Sequence, residues 1–225
     1  MIKICVSGAK GKMGARIGDL AKEDGELELA AEFDIGDDAE GSIAKSDCLI
    51  DFTAPDATMV NLAICEKQKK AIVIGTTGLT DTEKARVKAA SASIPVVFSP
   101  NMSVGVNVLF KIVQDAARLL GPEYSTQILE AHHINKKDAP SGTAKELARI
   151  IKDATGSHDV PIESIREDEI VGEHTVTFES PFDIIELTHS AKTRDIFAKG
   201  ALEAAKFAVT KKNGLYTMNE VLGIS

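Results

Sequence analysis

Apolar positions along the first hundred residues fall into short continuous runs separated by segments of helical spacing. The runs Ile2–Ser7, Leu27–Phe33, Cys48–Phe52, Ala71–Gly75 and Pro95–Phe98 have the length and β-branched content of strands. Between them, Met13–Glu23 reads as a helix with Met13, Ile17, Leu20 and Ala21 on one face. Ala57 to about Lys69 reads as a second helix, and Asp81–Ser91 as a charged third. Strands that alternate with helices pair in parallel through right-handed crossovers, and continuous apolar strands require cover on both faces. The pattern therefore predicts a doubly wound α/β domain. Only Ile35 to Asp47 separate the second and third strands, and Gly36, Gly41 and the acids there leave room for no more than a short helix or loop.

After Ser103 the pattern changes. Val104–Leu120 is a long helix with Val108, Ile112, Ala116 and Leu119 in register. Tyr124–His133 is a strand, and Thr143–Asp153 a helix with Leu147, Ile150 and Ile151 inward. Short strands follow near Ile162–Arg166, Thr175–Glu179 and Ile184–His189. Strands gathered after helices predict a separate α+β domain. A helix from about Thr193 to Lys211 and a short tail end the sequence.

Composition narrows the function. A length of 225 residues allows one large domain or two small ones. With 44% hydrophobic and 27% charged residues, the chain is neither disordered nor collagen-like. No apolar run reaches the ~18 residues of a membrane span. The start, Met1–Val6, enters a strand pattern at once and carries no signal peptide. The net charge of −8 and 4% aromatics, without Trp, count against nucleic acid. An anionic small molecule must then be held by a locally positive spot. Cys5, Cys48 and Cys65 are odd in number, lack C-x-x-C spacing and sit in apolar stretches, as buried reduced thiols of a cytoplasmic protein do.

The first strand runs into Gly8-Ala9-Lys10-Gly11-Lys12-Met13-Gly14, a G-x-x-G-x-x-G turn that opens the first helix. One glycine makes the tight turn, one lets backbone approach a pyrophosphate, and one permits close helix–strand packing. The phosphates then sit on a positive helix end. Asp34, at the end of the second strand, stands where the fingerprint needs an acid for the ribose hydroxyls. A carboxylate there repels a 2′-phosphate, and Ile35 offers it no guanidinium; this favours NADH over NADPH, although Lys10 and Lys12 lie within reach of a phosphate. Two further loops, Gly75-Thr76-Thr77-Gly78 and Ser99-Pro100-Asn101-Met102-Ser103, follow strand ends, where open α/β sheets bind ligands.

The densest chemistry lies in Glu130-Ala131-His132-His133-Ile134-Asn135-Lys136-Lys137-Asp138-Ala139-Pro140-Ser141-Gly142-Thr143-Ala144. Ser141 is a natural N-cap, and with Gly142 and Thr143 it forms a positive helix end suited to a carboxylate or phosphate. Lys136 adds a full charge. A histidine titrates near neutrality and donates protons. His132 and His133, if extended, point to opposite faces. With no third ligand suitably spaced, no metal is expected. His158, His174 and His189 read as structural or solvated.

E-A-H-H-x-x-K-x-D-A-P-S-G-T-A resembles the signature of the 4-hydroxy-tetrahydrodipicolinate reductase (dihydrodipicolinate reductase) family of bacterial lysine and diaminopimelate synthesis. The resemblance spans the chain, through the glycine turn, Asp51-Phe52-Thr53, Gly75-Thr76-Thr77-Gly78, Asn101–Asn107, Thr193-Arg194 and Phe197-Ala198-x-Gly200-Ala201. It implies a Rossmann-like cofactor domain from residues 1–103 plus 195–225, and an inserted α+β substrate domain, 104–194, that builds a homotetramer. It also implies a hinge between the two. By resemblance, His132 is the proton donor, and His133, Lys136, Ser141, Gly142 and Thr143 hold the substrate's carboxylates. Gly8, Lys10, Gly11, Lys12, Met13, Asp34 and Phe52 match cofactor positions. The backbone around Gly75, Thr76 and Thr77 and around Ser99, Asn101 and Met102 matches the nicotinamide-side loops. The chain departs from other members at Ile35 and Ala54, where some carry arginine, at Met102, where an aromatic is common, and by missing length near Gly36–Lys45.

The implied reaction reduces a cyclic imine dicarboxylate with loss of its hydroxyl as water: hydride from NADH or NADPH adds to the ring, and His132 or Lys136 supplies the proton. Two rival readings fit parts of the chain. Another Rossmann-type amino-acid-pathway dehydrogenase would not need the His–Lys segment, and a non-catalytic NADH-sensing module would keep only the glycine turn and Asp34.

Overall fold

The computed structural model describes residues 1–156 and 159–224, so His158 lies outside the described residues. The chain forms two compact units, Met1–Val104 with the C-terminal part from Asp195, and Gly105–Arg194.

In the first unit, β1 (Ile2–Ser7), β2 (Leu27–Phe33), β3 (Cys48–Asp51), β4 (Ala71–Ile74), β5 (Pro95–Phe98) and β10 (Gly214–Tyr216) form one parallel sheet in the order β10-β5-β4-β3-β1-β2. A shift of register between Ile4 and Cys5 marks a bulge against β2. Alternation along the strands sends Ile4, Val6, Ile50 and Val73 to one face, where α1 (Lys12–Glu23), α7 (Asp195–Ala208) and α8 (Met218–Leu222) cover them. Cys5, Leu49, Ile72 and Ile74 go to the other face, under α2 (Ala39–Ala44), α3 (Pro55–Gln68) and α4 (Asp81–Ala90). The crossover through residues 35–47 is thus a six-residue helix, capped by the Asp38 side chain on Gly41 N. All three cysteines are free and buried, and burial pushes the Cys5 thiol up to about 12 and the other two up as well.

The expected tail is more than a tail. Its residues add β10 beside β5, and Thr217 and Glu220 form a capping box that starts α8. A three-residue strand carries no readable period. α7 packs so closely that a Cβ on Gly200 would stand 1.7 Å from the Met102 carbonyl oxygen.

In the second unit, β6 (Ser125–His132), β7 (Ile162–Arg166), β8 (Glu173–Glu179) and β9 (Ile184–Ser190) form a sheet in the order β7-β6-β8-β9, parallel at β6–β7 and antiparallel elsewhere. α5 (Val104–Leu120) and α6 (Gly142–Thr155) supply most of the core against it. α5 buries Val106, Leu109, Phe110, Val113 and Ala117, while Val108, Ile112 and Leu119 are exposed. The helix carries two apolar stripes; the one with the large Phe110 ring fills the core, and of the stripe in register with Val108 only Ala116 packs against it. Among the described residues, no helix is long and apolar enough to cross a membrane.

Candidate active site

In the first unit, the strand order reverses between β1 and β3, the place where doubly wound sheets open a crevice. β1 ends at Ser7 and the backbone turns at Gly8, whose φ of +78° lies in the left-handed region. A Cβ on Gly14 would stand 2.1 Å from the Gly8 carbonyl oxygen, so α1 lies against the turn as only glycine permits. Gly11 is the N-cap of α1 and supplies no side-chain cap, leaving the first helical turn to serve an anion. Asp34, after β2, accepts from Ile35 N and Lys10 N, both at 2.8 Å. Those two bonds hold its carboxyl below the usual range.

Gly8, Lys10, Gly11, Asp34 and Phe52 line a cleft of about 650 Å³ over this edge. Its walls also include two apolar side chains, Ile35 (94% exposed), which the sequence places beside the acid only as a missing guanidinium, and Val60 (60%), which sequence reasoning does not single out. Exposed apolar residues on a cleft wall are the available signal for them. A glycine turn, a carboxylate at a strand end and apolar walls in one cleft together fit a dinucleotide.

Other expected cofactor residues sit elsewhere in this unit. Lys12, Met13, Gly75, Thr76, Thr77, Ser99, Asn101 and Met102 are not among the cleft walls. The Thr76 hydroxyl is buried and engaged with Thr53 N (3.0 Å) and the Thr58 hydroxyl (2.8 Å), so it positions the β3–α3 turn. The Met102 side chain packs into the core, which leaves only its backbone for a ligand. Asn101 Oδ1 accepts from Ser103 N at 2.8 Å. A Cβ on Gly75 would stand 2.1 Å from the Phe52 ring, which lies directly on this glycine. Beneath the turn, buried Asp51 accepts from the Thr53 hydroxyl (2.6 Å) and Asn61 Nδ2 (3.4 Å), and burial pushes its carboxyl up.

In the second unit, β6 ends at His132, and Glu130, two residues earlier, shares its side of the strand. Glu130 is fully buried. Arg166 on β7 donates to both of its oxygens, Nη1 to Oε2 at 3.0 Å and Nη2 to Oε1 at 2.8 Å. Ser141 N donates to Oε1 at 3.2 Å, and His132 Nδ1 meets Oε2. Burial alone would raise the Glu130 pKa, but the Arg166 bonds and the others outweigh it and hold it at about 2. His174, opposite Glu130 on β8, sets its ring edge-on to His132 with centroids 5.1 Å apart. Its Nε2 lies 3.1 Å from the Ser141 hydroxyl, and its buried Nδ1 has no partner among the described residues. Sequence reasoning missed Glu130, Arg166 and His174 as site residues, because they come from three strands with no spacing in common.

Glu130, His132 and His174 offer ligating atoms within 4.8 Å of one another. Arg166 already fills both Glu130 oxygens with a positive partner, so the cluster is a hydrogen-bonded network rather than a cation cage.

Lys136 stands in the loop after β6, Nζ 2.8 Å from Asp138 Oδ1. His133 Nε2 lies 3.3 Å from Arg194 Nη2. Gly142 is exposed and Thr143 half-buried at the first turn of α6. Ser141 is the N-cap of α6, as its position before Gly142 and Thr143 predicts. It is 1% exposed, its hydroxyl caps α6 through Ala144 N (3.2 Å) and meets His174, and its N–H is spent on Glu130. It shapes the helix end from behind.

His174 makes this unit acid-sensitive. Burial depresses its pKa from 6.5 to about 4, so the unfolded chain binds the proton first. The stabilisation of roughly 2–4 kcal/mol is complete above pH 6.5 and is lost as pH falls through about 4. Thermal unfolding followed from pH 8 to pH 4 should show Tm falling across that window, and His174→Gln should flatten the slope. An equal slope in both proteins would contradict the assignment.

Comparison with known proteins agrees along the whole chain. The family model described as dihydrodipicolinate reductase, N-terminus, matches residues 2–102, and that described as dihydrodipicolinate reductase, C-terminus, matches 105–222. The chain belongs to the dihydrodipicolinate reductase family. Relatives named 4-hydroxy-tetrahydrodipicolinate reductase are 39% identical in Geobacter sp. (strain M21) and 40% in Geotalea uraniireducens (strain Rf4), each over all of this chain and all of the relative. Both alignments run over 266 positions against the 225 residues here, so this member of the dihydrodipicolinate reductase family is shortened. A dipicolinate-bound dihydrodipicolinate reductase from Paenisporosarcina sp. TG-14 has the same fold, with a TM-score of 0.85 and 23% identity over 98% of each chain.

Proposed function

We propose that this chain reduces 4-hydroxy-tetrahydrodipicolinate with a dinucleotide held on its first unit and a dicarboxylate held on its second. It is an oxidoreductase of lysine and diaminopimelate biosynthesis: one hydride and one proton enter the substrate, and one water leaves. The observation that carries the site assignment is the cationic segment His132–Thr143, ending on the amino terminus of α6 in a chain of net charge −8.

A bound reduced nicotinamide supplies the hydride. The remaining work belongs to side chains and backbone. The Gly8–Gly14 turn and α1 receive the pyrophosphate, and Asp34 receives the ribose hydroxyls. Ile35 and Val60 offer an apolar slot for the base. Lys136 exchanges Asp138 for a substrate carboxylate, the N–H groups of Gly142 and Thr143 support it, and His133 lies beside them. His132 or Lys136 provides the proton. Residues 34–39 carry three carboxylates and no cation, which supports NADH over NADPH. The three buried thiols support a cytoplasmic location. For a homotetramer, the second unit offers Phe182, 95% exposed between β8 and β9, and exposed Ile184 on β9.

The test is a coupled assay: aspartate semialdehyde and pyruvate, the preceding synthase, and this protein, with NADH and NADPH oxidation followed separately. NADH should be preferred in kcat/KM by about five- to thirtyfold, the size of a 1–2 kcal/mol repulsion between Asp34 and a 2′-phosphate. Oxidation of neither cofactor would refute the reading.

A further inference from the structure

The buried network around Glu130 fixes which nitrogen of His132 carries its proton. Arg166 gives Glu130 two charge-assisted hydrogen bonds, and Ser141 N adds a third. A carboxylate so held is acceptor-only. The partner it meets, His132 Nδ1, must therefore be the donor. In a neutral imidazole the other nitrogen then carries a lone pair. The ring cannot easily escape this arrangement: it is 9% exposed, its edge meets His174, and a Cβ on Gly172 would stand 3.1 Å from its Nε2.

We propose that Glu130, paired with Arg166, is a positioning residue that locks His132 in the Nδ1–H tautomer and presents an unprotonated Nε2 to the substrate site. The consequence, which rests on the function proposed above, is that His132 acquires the proton it passes on only when the substrate binds. Every charge facing the ring bears on this. Glu130 on β6 favours imidazolium. Arg166 on β7 and Lys136 in the loop oppose it, as does burial beside His174 on β8, with His189 beyond on β9. Burial prevails and keeps the resting ring neutral below its ordinary pKa. A doubly negative ligand at Lys136 and the α6 terminus tips that balance. The ring then takes a proton from water onto Nε2, and Nε2–H becomes the donor to the reduced ring.

Two measurements on the intact protein test this. The first is the ¹⁵N signature of the His132 imidazole, free and with pyridine-2,6-dicarboxylate (dipicolinate). The free ring should be neutral with its proton on Nδ1, and the complex should show imidazolium. Calorimetry in buffers of different ionisation enthalpy should report uptake of about 0.5–1 proton per ligand near neutral pH. A free ring protonated on Nε2, or binding without proton uptake, overturns the proposal. The second is Glu130→Gln, which keeps an acceptor for Nδ1–H but removes the charge. Its kcat should fall about tenfold or more, with KM changed far less, and the alkaline limb of its kcat–pH profile should move to lower pH because imidazolium has lost its carboxylate. An unchanged kcat and profile overturn the proposal. If Glu130→Gln does not fold, the wild-type spectra and calorimetry decide alone. They also separate the two readings: a wild-type protein with the expected tautomer and proton uptake but no turnover refutes the reductase assignment and leaves the positioning role standing.

Discussion

Gly14→Ala is expected to destabilise the protein by about 3–5 kcal/mol and to abolish dinucleotide binding. The new methyl carbon would lie 2.1 Å from the Gly8 carbonyl oxygen and 2.6 Å from its carbonyl carbon. Both obstacles are backbone, so no side-chain rotation relieves them. Either α1 lifts from the sheet, with loss of packing at buried Ile17, Leu20 and Ala21, or the Gly8 turn gives way and the cradle with it. Gly25→Ala is the matched control, since nothing lies within 4 Å of a Cβ there. Chemical denaturation and NADH titration of the two variants give the comparison. A Gly14→Ala protein as stable as Gly25→Ala, with normal NADH affinity, would show that the turn does not need this glycine.

Lys136→Ala should act on the other half of the reaction. A charge-assisted contact to a substrate carboxylate contributes about 1.5–3 kcal/mol, so KM should rise roughly 10- to 150-fold. Turnover should fall as well where this ammonium orients the ring or gives the proton. NADH affinity should stay within twofold, because the variant leaves the first unit untouched. Folding stability should also hardly change: the partner in the free protein, Asp138, is half exposed, and such a pair contributes less than about 1 kcal/mol. Steady-state kinetics with both substrates varied, beside a cofactor titration, separate these effects. An unchanged KM would remove Lys136 from the carboxylate site.

The parallel sheet was legible because its strands are short apolar runs bounded by glycine, proline and charge, and such runs have few other places to go. The face of α5 was not. Val108, Ile112 and Leu119 keep helical spacing as faithfully as Val106, Leu109, Phe110, Val113 and Ala117 do, and periodicity alone cannot choose between two stripes. β10 was hidden by its brevity. At the site, the cradle and the His–Lys segment are local in sequence and therefore readable. The cap at Ser141 is readable for the same reason, but the internal bonds of the Ser141 and Thr76 hydroxyls, to His174 and Thr58, run to residues 33 and 18 positions away and leave no mark in the local sequence. Glu130, Arg166 and His174 converge only through strand pairing, which no linear spacing encodes.

The first unit is not one continuous stretch of chain. Ala198, Ala201, Leu202, Ala204, Ala205, Ala208 and Met218 belong to the core that covers one face of its sheet, and β10 closes the free side of β5. During synthesis, the ribosome must therefore expose an unfinished sheet, apolar on a bare side, until residues 195–218 have been made. The second unit, whole between residues 105 and 194, has all its parts much sooner. A nascent chain halted before residue 195 would thus present one finished body and one sticky half, the form on which chaperones and proteases act.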